Sequence, residues 1–444
     1  MPAKLRVHTL GCKVNQYETE LVRQGLATIG YEDAVNDEPA DLCLVNTCTV
    51  TDTGDAKSRQ VIRRMARDNP DARIVVMGCY ATRAPDEVAR LPGVVEVLED
   101  KRELGDLMGR FGVIDIPTGL RGFAGRKRAY VKVQDGCLLR CSYCIIPMVR
   151  PKLASRPLDQ IVDEVRSLVD AGHREVVLTG IHLGHYGVDW NRNRPRENWT
   201  RLSHLVQQLA AIDGEFRIRL SSIEATEVTR ELIGVMADHG DKIVPHLHLC
   251  LQSGSDSVLR RMRRRWSSRM FLDRCRMLRE SLADPAITTD VIAGFPGETD
   301  GEFEQTLQTC RDAGFSKIHA FPFSRRKGTP AAEMPDQLEK SLKEERVGRL
   351  QSLEVELRRR YYESLVGSSA EILVEQVDRQ SGVLTGTTER YALAKLAIKD
   401  VRPEQANEHQ LIRAEVVAAD QDCVRLARLF PLSRSADPLE ASRY

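Results

Sequence analysis

Three cysteines, Cys137, Cys141 and Cys144 in DGCLLRCSYCIIP, stand directly behind a β-rich run, and they constrain this chain more than any other feature. With C-x3-C-x2-C spacing, one loop can carry three thiolates to a single centre. A structural zinc site takes four ligands. No cysteine or histidine stands close in sequence to supply the fourth, the nearest downstream being His173 on an expected helix. A 4Fe-4S cube held by three cysteines leaves one iron open to a further ligand. The plain alternative is a tight turn of packing cysteines.

Eleven cysteines make the compartment matter. The first residues hold only a brief apolar run, and no uncharged apolar stretch approaches the roughly 20 residues of a membrane span. A soluble, unexported, cytoplasmic protein with no membrane partner is expected, and there thiols stay reduced and serve metals or catalysis. Lys plus Arg total 65 against 64 Asp plus Glu, net +1, so the overall charge neither announces nor excludes a nucleic acid.

The organisation is α/β. Residues 5–10, 41–45 and 73–77 read as strands, separated by helices near 16–29 and 52–67, the pattern of a parallel sheet. A cysteine follows each strand: Cys12 in LGCKVN, Cys48 in VNTC and Cys79 in VMGCY. Loops at the carboxyl ends of neighbouring parallel strands gather along one edge, so three distant cysteines can converge. Residues 109–127, rich in Gly and basic residues, read as a linker with weak structure of its own. Six further strands (130–133, 175–179, 217–220, 246–249, 286–291 and 317–321) alternate with helices and predict a partial parallel βα barrel. A charged helix spans about 337–365, and short β-rich runs after Gly367 predict a small antiparallel barrel. The expected domains are 1–112, 123–362 and 363–434.

The cysteine triplet behind a strand, with Tyr143 before its last member, resembles the radical S-adenosylmethionine (SAM) superfamily. LGCKVNQYE, VNTC, GCY, ITTDVIAGFPGE and FPFSRRKGTPAAEMPDQ extend the likeness over nearly the whole chain to the methylthiotransferases. That resemblance implies two 4Fe-4S clusters, one on Cys137, Cys141 and Cys144 that cleaves SAM to a 5′-deoxyadenosyl radical, and one on Cys12, Cys48 and Cys79 that handles sulfur. Two SAM molecules would be used, one as methyl donor and one as radical source. Cysteine is also often fully buried, so strand-end packing is the alternative for the front three. Cys43, Cys250, Cys275, Cys310 and Cys423 lack the pattern and are expected to pack. Tyr143, Thr179 and Gly180 in LTGIHLG, Gln252 and Ser253 in LCLQSGSD, and Asp290 and Gly294 in DVIAGFPGE are the candidate SAM contacts.

Residues 258–279 place nine arginines against one aspartate around Trp266, a composition that can neutralise phosphates and stack on bases. The last β unit resembles the RNA-binding TRAM domain, with GVLTGTTERYALAKL matching its central hairpin. A tRNA anticodon stem-loop is the implied substrate, with a reducing electron donor such as flavodoxin or ferredoxin and a separate sulfur donor as partners. GCKVNQYE and SRRKGTPAA resemble the branch that thiolates threonylcarbamoyladenosine. The other branches act on isopentenyl-type adenosine or on an aspartate of a small-subunit ribosomal protein. A non-catalytic RNA-binding iron–sulfur protein is the rival from another class. Two departures from the family pattern are Arg150-Pro151, where Gly is usual at the second position, and Cys250, where Pro is common.

Overall fold

The computed structural model describes residues 2–430, so residues 431–434 of the expected last domain lie outside the described residues. At the front, β1 (Ala3–Thr9), β2 (Tyr31–Asp33), β3 (Leu42–Thr47), β4 (Arg73–Gly78) and β5 (Val94–Val97) form one parallel sheet in the order β2-β1-β3-β4-β5. The central strand LCLVNT is buried throughout, as expected where helices cover both faces of a parallel sheet. The helix Asp52–Asp68 begins where the Thr51 side chain accepts from the Gly54 amide, with Asp52 and Asp55 in its first turn. Because β1, β3 and β4 are neighbours, the loops bearing Cys12, Cys48 and Cys79 open side by side.

The six strands expected downstream are all present. β6 (Ala129–Asp135), β7 (Ala154–Ser155), β8 (Glu175–Gly180) and β9 (Arg217–Leu220) run in the order β7-β6-β8-β9. β10 (Ser222–Ile223), β11 (His246–Leu249), β12 (Ala286–Ala293) and β13 (Lys317–Pro322) follow in sequence. A parallel bridge between Ile218 and Ile243 joins the two sets, with Val244 N–H donating to the Ile218 carbonyl at 3.1 Å. The result is an open partial barrel whose apolar outer face packs on the helices.

The linker is not loose. Residues 111–128 carry no helix or strand, yet Leu120 and Phe123 are buried. Leu120 N–H donates to Glu164, and Phe123 N–H donates to His173 Nε2 at 3.0 Å. Its partners lie far along the chain, which is why composition alone suggested a free segment. His173 sits in the turn after the helix Leu158–Asp170, not on a helix.

After the helix Lys340–Ser364, β14 (Ser369–Asp378), β15 (Val383–Thr388), β16 (Leu393–Ala397), β17 (Leu411–Ala419) and β18 (Val424–Phe430) close a five-stranded barrel. The expectation of a wholly antiparallel barrel is corrected at one seam, since β16 and β18 pair parallel. This barrel docks on the larger one through buried charge. Arg217 and Arg219 bind Glu175 and donate to the backbone carbonyls of Glu371, Thr387, Thr388 and Glu389. Among the described residues, no helix is long and apolar enough to cross a membrane.

Candidate active site

The chain reverses tightly into the first triplet. Gly136, at φ +75°, precedes Cys137, and a Cβ there would run into the Lys152 carbonyl. Cys137 N–H donates to the Arg150 carbonyl at 3.3 Å, and Cys144 N–H to the Cys141 carbonyl at 3.2 Å, so the three thiols sit on one folded loop. Arg264 Nη1 approaches Cys141 Sγ at 3.2 Å and the Tyr143 hydroxyl at 3.4 Å, while Nη2 pairs with Glu224 at 2.7 Å. Burial pushes the Cys144 thiol up to about 12, so ligation there must expel a proton.

A histidine of LTGIHLG, distant in sequence, stands beside these thiols in space. His182 Nδ1 lies 3.6 Å from Cys137 Sγ, and its Nε2 is 3.5 Å from Glu227. Its ring stacks at 3.6 Å on His185. Burial disfavours the charged form of His182, but Cys137 and Glu227 outweigh it and raise the ring to about 10. Burial and the His182 charge drive His185 down to about 4. Gln134, fully buried, accepts from His182 N–H at 2.8 Å and donates to the Gly136 carbonyl at 2.7 Å, tying this loop to the cysteine loop.

The front triplet is built by three strand ends. Gly11 precedes Cys12 at φ +98°, and a Cβ there would stand 3.0 Å from the Cys48 Cβ; Gly78 precedes Cys79 at φ +101° against Asn46 and Thr47. Cys79 packs against Ile145, Ile146 and Val149, immediately after Cys144. One thiol of the front set therefore packs on the chain segment that follows the barrel set.

Buried arginines clamp that junction. The Arg150 side chain, 2% exposed, donates to Glu18 at 2.7 and 2.8 Å, to Asp135 at 2.8 Å and to Asn15 at 3.1 Å. Arg150-Pro151 thus joins the front sheet to the barrel. Arg326, from SRRKGTPAA, crosses the other way to Asp52, to Thr49 at 2.9 Å and to Asp55 at 2.8 Å, beside Cys48.

The candidate SAM contacts divide. Thr179 and Gly180 end β8 against Gln134, and Tyr143 packs edge-on to Phe295. Gln252, at φ +66°, is held between β11 and β12 by its backbone, donating to the Asp290 carbonyl at 2.9 Å. The Asp290 carboxylate lies 3.4 Å from His248 Nε2, with Cys250 in the same group. The Ser253 hydroxyl is buried against Thr306, and Gly294, at φ +75°, lies against Lys343. Trp266 is corrected: it is 5% exposed and lies under Arg264 at 3.9 Å, so it offers no free face to a base. Cys43, Cys275, Cys310 and Cys423 are packing residues as expected, whereas Cys250 shares a polar cluster.

A thiol loop behind the first strand of an open parallel barrel defines a radical SAM fold. The radical SAM superfamily model matches residues 131–310, and the model described as uncharacterized protein family UPF0004 matches residues 4–99. The threonylcarbamoyladenosine tRNA methylthiotransferase MtaB of Bacillus subtilis (strain 168) is 42% identical, covering 88% of this chain and 89% of that protein. A tRNA-2-methylthio-N(6)-dimethylallyladenosine synthase of Aquifex aeolicus (strain VF5) is 33% identical over 89% and 93%. The solved radical SAM methyltransferase TsrM of Kitasatospora setae shares the fold at TM-score 0.54 and 14% identity, over 74% of this chain and 77% of that one. This chain belongs to the radical SAM tRNA methylthiotransferase family.

The family's cofactors are SAM and two 4Fe-4S clusters, and the donor set here fits them. Each site offers three thiols, and near the barrel triplet Glu224 Oε2 and His185 Nδ1 are buried without a hydrogen-bond partner in the protein, as befits a pocket that receives a polar cofactor.

Proposed function

We propose that this protein adds a methylthio group to carbon 2 of N6-threonylcarbamoyladenosine beside the anticodon of tRNA. The observation that carries the reading is the packing of Cys79, from the front triplet, against Ile145, Ile146 and Val149, which follow the barrel triplet, because sulfur insertion needs a radical source and a sulfur site within reach of one substrate atom. The relative of 42% identity bears the name of that activity.

In this reading Cys137, Cys141 and Cys144 hold the cluster that binds SAM, and Cys12, Cys48 and Cys79 hold the auxiliary one. The cofactors supply reductive cleavage of SAM, a methyl group and bound sulfur. The chain's own residues orient and insulate. Arg264 directs an N–H to the Cys141 sulfur, and His182 Nδ1 lies 3.6 Å from that of Cys137, contacts of the kind that tune a cluster's potential. Tyr143, Thr179, Gly180, Gln252, Ser253, Asp290 and Gly294 are the proposed SAM-side residues. Residues 363–434 are read as a TRAM-like RNA-binding barrel, and 1–112 and 123–362 as the two preceding domains. A low-potential flavodoxin or ferredoxin and a sulfur donor complete a cytoplasmic system.

The test is anaerobic reconstitution with iron and sulfide, then reaction with SAM, reductant and tRNA bearing threonylcarbamoyladenosine. The 2-methylthio nucleoside is expected by mass spectrometry. If isopentenyl-type adenosine or the ribosomal aspartate is modified instead, the substrate assignment falls. If no 5′-deoxyadenosine forms from protein holding two clusters, the enzyme reading falls.

A further inference from the structure

The loop that places His182 beside Cys137 runs on into Trp190-Asn-Arg-Asn-Arg-Pro-Arg-Glu-Asn-Trp-Thr-Arg201, which holds four arginines against one glutamate in a chain of net charge +1. Arg192, Arg194 and Arg196 are exposed. Trp199 lies between two guanidinium groups, Arg196 at 5.6 Å and Arg201 at 5.9 Å from its ring. A solvated charge run needs no such frame, yet this one is pinned at both ends. Buried Asn191 accepts from Thr200 N–H at 2.8 Å and donates to the Thr200 carbonyl at 2.7 Å. Trp199 Nε1 donates to the Arg194 carbonyl at 2.9 Å, and Asp189 accepts from the Ser155 amide at 3.0 Å and its hydroxyl at 2.6 Å.

A second basic loop meets the first. Arg264 turns inward to Cys141, while its neighbours Arg263 and Arg265 are exposed. Each loop therefore touches a thiol of the barrel triplet with one residue, His182 or Arg264, and presents exposed arginines elsewhere along its length. We propose that the Trp190–Arg201 arch, with Arg263 and Arg265, is a docking surface for the phosphate backbone of RNA, which holds the substrate stem over the barrel mouth. Arginine forks pair with phosphate oxygens, and Trp199 fixes the direction of Arg196 and Arg201. The inference rests on the reading that the substrate is tRNA.

The experiment measures tRNA binding to the reconstituted protein by anisotropy between about 50 and 200 mM salt. The triple variant Arg192→Ala, Arg194→Ala, Arg196→Ala is expected to bind at least tenfold more weakly. Its slope of log affinity against log salt should fall by about 2–3, the loss of that many phosphate contacts. Its iron content and tRNA-independent SAM cleavage should match the parent, and KM for tRNA should rise more than kcat falls. Trp199→Phe should retain most of the affinity and Trp199→Ala lose part of it. Equal affinity and slope in parent and triple variant would overturn the docking surface while leaving the tRNA reading intact. A parent protein that binds no tRNA but binds a ribosomal protein would overturn both.

Discussion

The two cysteine sites solve one problem by opposite routes. Cys137, Cys141 and Cys144 ride on a single loop whose own hydrogen bonds bring them together. Cys12, Cys48 and Cys79 are gathered only when β1, β3 and β4 lie side by side in one sheet. The first site is a local motif carried by the barrel; the second is a property of a folded sheet. Yet all three front-entry and barrel-entry turns, before Cys12, Cys79 and Cys137, use a glycine at positive φ, because the chain must break direction abruptly as it leaves a strand.

The largest expected effect separates the two by product. Cys141→Ala should abolish formation of 5′-deoxyadenosine and every later step. Cys48→Ala should keep SAM cleavage and lose methylthiolation, with about half the iron remaining. Chromatography of the nucleosides checks both, and a Cys48 variant that cleaves no SAM would show that the sites are not separable.

Next in size is the clamp between them. Arg150→Ala leaves Glu18 and Asp135 buried with Lys132 as their remaining cation, and breaking a buried pair of this kind costs about 3–5 kcal/mol. Urea unfolding of the reconstituted protein should show that loss, together with a fall in methylthiolation larger than the fall in SAM cleavage. Arg150→Lys should restore little, since one ammonium cannot serve Glu18, Asp135 and Asn15 together. An unchanged midpoint would mean that the front sheet is held by its apolar contacts alone.

How much of this was legible in the sequence follows the same division between local and distant causes. The barrel strands and the charged helix declare themselves by their own residues, as does the thiol loop. What escaped depends on partners remote in the chain. β2 is three residues at a sheet edge, and β5 four half-buried ones. Leu120 and Phe123 are buried only because the helix Leu158–Asp170 and His173 come to meet them. His182 and Arg264 approach the cysteines from other loops, and no spacing announces that. Trp266 looked free among arginines, but one of them, Arg264, covers it. The glycine before each of Cys12, Cys79 and Cys137 was the one written signal left unused.

A smaller effect sharpens the comparison at that shared turn. Gly78→Ala and Gly136→Ala both force a residue with a Cβ into positive φ and into neighbouring backbone atoms, a cost of about 2–5 kcal/mol from strain and overpacking together. The Gly136 change should disturb SAM cleavage first, since Cys137 follows on the same loop. The Gly78 change should spare cleavage and reduce auxiliary-site iron, because Cys79 is the ligand displaced. Iron counts and electron paramagnetic resonance of the two variants distinguish these outcomes.

The smallest expected effect lies away from both sites, where the C-terminal barrel is docked by Arg217, Arg219 and Glu175. Burial would raise the Glu175 carboxyl, but Arg219 and Arg217 outweigh it and hold it well below the ordinary carboxylate range. A folded-state value below the unfolded one adds stability above the unfolded value, and that contribution fades as pH falls. Stability measured in urea should therefore decline as pH drops below about 4.5, and the release of the C-terminal barrel should be visible as protease cleavage near Ser364–Gly367 before iron is lost. Glu175→Gln should weaken docking at pH 7 and flatten this part of the acid dependence. If the thiol sites lose iron first, the barrel's attachment is not the weak joint of the molecule, and the front sheet, gathered from three strand ends, is.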